Sequence, residues 1–96
     1  MLESRFKTKL IKELESRFPG CIVVHGDAND IQGIPDLIVL YGKRWAALEG
    51  KKENTSSRRP NQEYYVETMN NMSFASFISP ETKDEVLDDI QRSFES

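Results

Sequence analysis

The stretch that decides the fold is Gly33-Ile34-Pro35-Asp36-Leu37-Ile38-Val39-Leu40, followed after a short turn by Trp45-Ala46-Ala47-Leu48-Glu49-Gly50-Lys51. Short apolar runs rich in β-branched residues on either side of a turn predict two adjacent strands. Side chains at i and i+2 share one face of a strand, so Glu49 and Lys51 point the same way and a hairpin brings Asp36 beside them. Two carboxylates and an ammonium on apolar strands are costly unless a cation and a phosphate join them.

The rest of the chain completes the order α-β-β-β-α-β-α. Apolar periodicity predicts the helices, and Pro-Gly and Ser-Pro pairs mark their ends. The predicted ranges are helix 2–18, strands 21–25, 34–40 and 45–51, helix 60–71, strand 74–78, and a last helix that begins at Ser79-Pro80 with Ser79 as its N-cap. A strand, a helix and a further strand in succession imply a crossover. We therefore expect an α/β fold with a mixed sheet of about four strands flanked by helices, in a single domain over 1–96.

Composition describes a small globular protein. The 96 residues are 38% hydrophobic and 30% charged, which disfavours a disordered or a membrane protein. The longest apolar run, 37–41, is far shorter than the ~20 residues that span a bilayer, and the first residues lack the apolar segment of a signal peptide. Cys21 is the only cysteine, which excludes an internal disulfide framework and a zinc site built from cysteines. We expect no membrane partner and a cytoplasmic location.

Charge is distributed unevenly along the chain. The formal net charge of −3 argues mildly against promiscuous nucleic-acid binding, and most of the acidic excess lies after residue 80. Four basic residues, however, fall within nine positions, namely Lys51, Lys52, Arg58 and Arg59. A local basic patch can hold a phosphate backbone on an acidic protein, so we expect Lys52, Arg58 and Arg59 to contact DNA.

The central carboxylates suit a hard cation. Asp36, Glu49 and the backbone carbonyl of Gly50 supply three oxygen ligands, which fits Mg²⁺ with waters and a substrate phosphate in the remaining positions. Lys51 then either orients or deprotonates an attacking water, or neutralises charge in the transition state. The alternative interpretation is a turn aspartate beside an exposed ion pair. The apolar residues before Glu49, and a glycine inside the strand, weigh against that alternative.

Two outlying residues complete the candidate site. On a helical wheel of ~100° per residue, Glu3 falls inside the apolar stripe of the first helix and is expected to supply a third carboxylate to the metal; the alternative is a frayed terminus. Gln62 lies in the first turn of helix 60–71, next to Arg58 and Arg59. It is expected to hold the scissile phosphate or a metal-bound water at a helix N-terminus, the alternative being an ordinary helix former.

These residues carry a family resemblance. Pro35-Asp36, followed thirteen positions later by Glu49-Gly50-Lys51, resembles the PD-(D/E)xK nuclease pattern, and Gly33-Ile34-Pro35-Asp36 with a downstream Gln62 resembles the VRR-NUC domain more narrowly. The resemblance covers nearly the whole chain. It departs from the family's pattern at Gly50, where relatives commonly carry Cys or Val, and at 70–73, where a glycine usually precedes the last strand.

The resemblance implies a restriction-endonuclease-like core and metal-dependent cleavage of DNA. In that case Asp36 and Glu49 bind Mg²⁺ or Mn²⁺, Lys51 is the catalytic lysine, and Glu3 and Gln62 occupy the outlying positions. Stand-alone proteins of this family are typical of phages and are structure-specific endonucleases, some of them dimers that recognise four-way junctions. If this protein is phage-encoded, the expected cytoplasmic location is that of a bacterial host.

Two hypotheses follow, and within the enzyme class the alternative to the first is a restriction-like or general nuclease of the same fold. The first is a metal-dependent, structure-specific DNA endonuclease, such as a Holliday-junction or flap nuclease, acting as a homodimer on branched DNA. The second is a catalytically inactive DNA-binding accessory protein on a nuclease scaffold. Binding of Mn²⁺ distinguishes them, since a decayed site would bind none.

Overall fold

The structure is a computed structural model, and it describes residues 4–96. Its elements follow the predicted order: α1 (Ser4–Arg17), β1 (Ile22–His25), β2 (Leu37–Tyr41), β3 (Arg44–Gly50), α2 (Pro60–Met72), β4 (Phe74–Ile78) and α3 (Lys83–Glu95). The predicted α/β class and element order are therefore confirmed. None of the helices within 4–96 is long and apolar enough to cross a membrane.

The four strands form one mixed sheet in the order β1-β2-β3-β4. The strands β1, β2 and β3 are joined antiparallel, whereas β4 runs parallel to β3 after the α2 crossover. Parallel neighbours need such a crossover, because a short turn cannot reverse the chain twice. Both strands of the deciding stretch consequently lie in the middle of the sheet.

Strand periodicity separates the two faces of this sheet. One face packs against α1 and α3 in a core of long aliphatic side chains, which comprises Leu10, Leu14, Leu37, Val39, Leu48, Ile78, Val86, Leu87 and Ile90. The other face packs against α2 in a smaller core, which comprises Ala47, Val66 and Ala75 with Ile38, Trp45, Met69 and Phe77 around it. Because Asp36 and Glu49 alternate with Leu37 and Leu48, their side chains belong to the α2 face.

The last helix begins later than predicted. The backbone N–H of Ser79 donates to Oγ1 of Thr82 at 3.0 Å, and the N–H of Thr82 donates to the carbonyl of Ser79 at 3.1 Å. These bonds close a turn, so Thr82 is the N-cap of α3 and the prediction of Ser79 as N-cap is wrong. The strand predicted over 34–40 also begins later, at Leu37, because β1 ends at His25, which pairs with Leu37.

Candidate active site

Strand register brings the two central carboxylates together. The last recorded pair of the β2–β3 ladder is Leu37 with Leu48, and the next step along an antiparallel ladder sets Asp36 opposite Glu49. Both residues line a cleft of about 790 Å³ on the α2 face of the sheet. The structure therefore unites the two carboxylates as the sequence predicts.

The Asp36 carboxylate is held by the backbone of β3. Its Oδ2 accepts a hydrogen bond from the N–H of Gly50 at 2.9 Å, and the Asp36 carbonyl accepts one from the N–H of Gly26 at 2.8 Å. An extended residue directs its N–H and its C=O to the same side of the strand. We therefore expect the carbonyl of Gly50 to point toward Asp36, as a third oxygen ligand requires.

Glu49 is a buried carboxylate with a perturbed pKa. Only 3% of its surface is exposed, and its Oε2 accepts a hydrogen bond from Nε2 of Gln62 at 3.1 Å. Burial, and next the negative charge of Asp36, raise the pKa of Glu49 to about 7, although the positive charge of Lys51 opposes this rise. The folded protein thus keeps two repelling carboxylates beside a cleft, an arrangement that a divalent cation would stabilise.

This donor set fits a magnesium-like ion. Among residues 4–96 no group of three or more His, Cys, Asp and Glu side chains is arranged to hold a metal. Mg²⁺ does not need such a group, because it usually binds one or two carboxylates and keeps several waters or substrate oxygens. Asp36, Glu49 and the carbonyl of Gly50 meet that requirement. Glu3, the predicted further ligand, lies outside the described residues.

Gln62 connects the carboxylate to the lysine. Its Oε1 accepts hydrogen bonds from Nζ of Lys51 at 2.6 Å and from the backbone N–H of Arg59 at 3.2 Å, while its Nε2 donates to Glu49. Lys51 is buried and also donates to the carbonyl of Ser57 at 2.9 Å. Glu49 and Lys51 therefore reach the same amide, as expected for residues two apart on one strand.

The position of Gln62 follows from the start of α2. Arg59 is the N-cap residue and Pro60 occupies the first helical position, where the absent N–H of proline has no cost. Gln62 is the third helical residue, from which a side chain can reach back to the N–H of the cap residue. The amide of Gln62 therefore both caps the start of α2 and contacts the candidate site residues Glu49 and Lys51.

The three residues predicted to bind DNA are separated. Arg59 lines the cleft, and Lys52 is exposed just beyond β3. The guanidinium of Arg58 instead lies over the ring of Phe77, 4.1 Å from its centroid, on the side of β4. Of these residues only Arg59 adjoins the carboxylates. The wall of basic side chains expected around the cleft is therefore narrower than the sequence suggests.

The opposite wall of the cleft comes from a segment that the sequence analysis did not assign to the site. Residues of the loop between β1 and β2 line it, namely Ala28, Asn29, Asp30, Gln32, Gly33 and Ile34. Gly33 has φ +90°, and a Cβ on it would lie 2.6 Å from Cβ of Asn61 in the first turn of α2. A glycine is required here both for its backbone conformation and for this close approach. The glycine of the Gly33–Asp36 motif is the signal that could have identified this contact.

Comparisons with solved structures place this fold in a class. A structure described as a VRR_NUC domain superposes with a TM-score of 0.62 at 22% identity, over 84% of this chain and 92% of the other. The Archaeoglobus fulgidus protein Hjc, a Holliday junction resolvase, superposes with a TM-score of 0.53 at 18% identity, over 80% of this chain and 68% of the other. No protein-family model and no curated protein sequence matches the chain. The chain has the restriction-endonuclease-like fold of these two structures, which confirms the predicted resemblance at the level of the fold.

Proposed function

We propose that this protein is a metal-dependent, structure-specific DNA endonuclease. The observation that carries the proposal is the presence of Asp36 and buried Glu49 in one cleft, with Asp36 bonded to the backbone of β3, on a fold similar to those of a VRR_NUC domain and a Holliday junction resolvase. Asp36, Glu49 and the Gly50 carbonyl would hold Mg²⁺ or Mn²⁺. When bound, such an ion polarises the scissile phosphate and lowers the pKa of a coordinated water.

Lys51 acts beside the phosphate. Two hydrogen bonds, to Gln62 and to the carbonyl of Ser57, fix its Nζ and leave one further position on the nitrogen. In the charged form that position donates to a phosphate oxygen, which neutralises charge that develops in the transition state. In the neutral form the same position accepts a proton from water. Both tasks are part of the proposal for Lys51.

Gln62 and Arg59 position the reacting groups. Gln62 holds Glu49 and Lys51 at a fixed separation, so that carboxylate and ammonium keep their orientation when the cleft fills. Arg59 lines the same cleft at the N-terminus of α2, where a guanidinium and free backbone N–H groups favour a phosphate. We propose branched DNA as the substrate, since a resolvase is among the proteins of similar fold.

A homodimer is part of this proposal. Two copies related by a twofold axis match the symmetry of a four-way junction and can cut two strands. The surface that supports it is the part of the α2 face that α2 leaves uncovered, where Ile22, Val24 and Leu40 are exposed on β1 and β2. Exposed apolar patches on adjacent strands are typical of interaction sites.

The proposal is tested with a panel of single-stranded, duplex, flap and four-way DNA, each with Mg²⁺, Mn²⁺ or chelator. We expect cleavage of branched DNA with either metal, none with chelator, and none by Glu49→Ala or Lys51→Ala. Lys43→Ala, in the exposed β2–β3 turn, serves as the matched lysine control. Failure of the wild-type protein to cut any substrate, with junction binding retained, would instead identify a DNA-binding accessory protein on a nuclease scaffold.

A further inference from the structure

A stripe of basic side chains runs along the outer face of α1. Arg5, Lys9 and Lys12 are exposed and recur at i, i+4 and i+7, which places them on one side of the helix. Leu10 and Leu14 on the opposite side are fully buried against the sheet. The three charges therefore point away from the protein. We call Arg5, Lys9 and Lys12 the α1 stripe.

Charges of the α1 stripe have no partner within the described chain. None of the three forms an ion pair or a side-chain hydrogen bond with any residue of 4–96. Other basic residues on this side of the sheet do: Arg17 pairs with Asp88 at 2.8 Å, and Lys83 pairs with Glu13 at 2.8 Å. Like charges one helical turn apart repel and weaken a helix slightly. The stripe is thus a local excess of positive charge on a chain whose net charge is −3.

The dimensions of the stripe fit a phosphate backbone. From Arg5 to Lys12 the helix rises about 10 Å, at ~1.5 Å per residue. The three positive charges are spread over this length, as suits the regularly spaced negative charges of a phosphate backbone. A shallow surface groove of about 310 Å³ follows the same residues, and Ser4 and Thr8 add hydroxyl groups to its lining. Charge and spacing both favour an extended polyanion.

The stripe and the candidate active site lie on opposite sides of the sheet. The carboxylates face α2, whereas α1 packs on the other face and turns its stripe outward. A duplex that followed the α2 side of the cleft would therefore leave the stripe available to a second duplex. We propose that the α1 stripe binds the phosphate backbone of a second arm of a branched DNA. This inference rests on the proposed function, and it explains how a small domain could prefer branched over linear DNA.

The test compares binding of a four-way junction with binding of a linear duplex of the same total length. The triple variant Arg5→Gln/Lys9→Gln/Lys12→Gln removes the stripe and keeps good helix formers. The charge-matched control is Lys7→Gln/Lys43→Gln/Arg92→Gln, which removes three positive charges elsewhere. Dissociation constants are measured by fluorescence anisotropy in EDTA over a series of salt concentrations, after circular dichroism confirms that each variant is folded.

We expect the stripe variant to lose about tenfold or more in junction affinity, with a salt dependence shallower by ~2–3 logarithmic units per decade for three lost phosphate contacts. Duplex affinity should change less, and the control should keep its preference for the junction. Equal losses for junction and duplex, equal losses in the control, or unchanged junction affinity would each overturn the inference. Because these are binding measurements without metal, a protein that binds through the stripe but cuts nothing would refute the proposed function alone.

Discussion

The side-chain amide of Gln62 donates a hydrogen bond to Oε2 of Glu49 at 3.1 Å. This bond connects the first turn of α2 to the C-terminal end of β3. The same amide accepts from Lys51 and from the N-cap backbone. A helix start and a pair of candidate catalytic groups are therefore organised by one side chain. Any displacement of α2 along its axis would break the contacts of Gln62 with Glu49 and Lys51.

Removing this amide should destabilise the protein and the site together. Gln62→Ala removes the side-chain hydrogen bond of buried Glu49 and one of the two hydrogen bonds of Lys51, so we expect the free energy of unfolding to fall by about 1–3 kcal/mol. Gln32→Ala, on the exposed opposite wall of the cleft, is the control and should change it by less than about 0.5 kcal/mol. Urea unfolding in EDTA measures both. A Gln62→Ala protein as stable as the control would mean that the network contributes nothing to folding.

The raised pKa of Glu49 predicts a specific pH dependence of stability. Between its ordinary value of 4.5 and about 7, the unfolded chain releases the Glu49 proton while the folded protein keeps it. The folded state then binds more protons, so this residue lowers the free energy of unfolding as pH rises toward 7, and its effect is constant above that. In Glu49→Gln this loss should be absent, which makes the variant more stable than the wild type at pH 8 in EDTA.

Urea unfolding at pH 5, 6, 7 and 8 checks this expectation. The informative quantity is the difference between wild type and Glu49→Gln, because the other carboxylates contribute a common background. Glu15→Gln, an exposed position on α1, serves as the control for removal of one acidic side chain. If the difference in free energy of unfolding between the wild type and Glu49→Gln stayed constant from pH 5 to 8, the pKa of Glu49 would not be raised.

Metal affinity should also depend on the protonation of Glu49, but it should rise with pH where the free energy of unfolding falls. A divalent ion must displace the Glu49 proton below pH 7, so we expect Mn²⁺ affinity to increase from pH 5.5 to 7.5 and binding to release protons at the acid end. Calorimetry in two buffers of different ionisation enthalpy measures the released protons. Asp36→Asn and Glu49→Gln should each weaken binding about tenfold or more. Affinity that is independent of pH would contradict the assignment of Glu49 as a ligand.

Gly33 offers a test of how the cleft is built. Gly33 and Gly20 both have φ +90°, but only Gly33 lies against other atoms, with Asn61 2.6 Å from its would-be Cβ. Gly33→Ala and Gly20→Ala share the backbone strain, of order 1–3 kcal/mol. The difference between them therefore reports the contact with α2. We expect Gly33→Ala to be the less stable by a further ~1 kcal/mol or more and to bind Mn²⁺ more weakly, because Asn61 adjoins Gln62. If the two variants were equally stable in urea and bound Mn²⁺ equally in calorimetry, the contact of Gly33 with α2 would not contribute to the site.

Local patterns predict this chain well wherever they report on one element. The strand 74–78 and the start of α2 at Pro60 follow directly from residue type, and the mixed sheet follows from the strand–helix–strand order. The meeting of Asp36, Glu49 and Lys51 is also predictable, because register and alternation are local rules. The start of α3 is not, since Ser79 and Thr82 are both acceptable caps and the choice depends on hydrogen bonds between them.

Contacts between distant segments are what the sequence does not reveal. Ser57 enters the site through its backbone carbonyl, which carries no signal of residue type. Arg58 and Arg59 are neighbours in sequence, yet Arg58 stacks on Phe77 whereas Arg59 lines the cleft that contains the carboxylates. Their separation depends on β4, which lies well beyond them in the chain. Which of the basic side chains line the cleft therefore depends on the tertiary structure.

The uncovered sheet face provides the last prediction, which concerns assembly. Ile22, Val24 and Leu40 are 61%, 41% and 40% exposed, and the register pairs Ile22 with Leu40. A twofold axis through such a patch would bury these side chains against their own copies. We expect the wild-type protein to have a mass of about 22 kDa, twice the 11.1 kDa of one chain, in light scattering after size exclusion. Ile22→Lys/Val24→Lys should shift it to the monomer, whereas Met72→Lys, at an equally exposed apolar side chain on the end of α2, should not. A wild-type monomer at every concentration would refute the dimer, and dissociation by Met72→Lys alone would place the interface elsewhere.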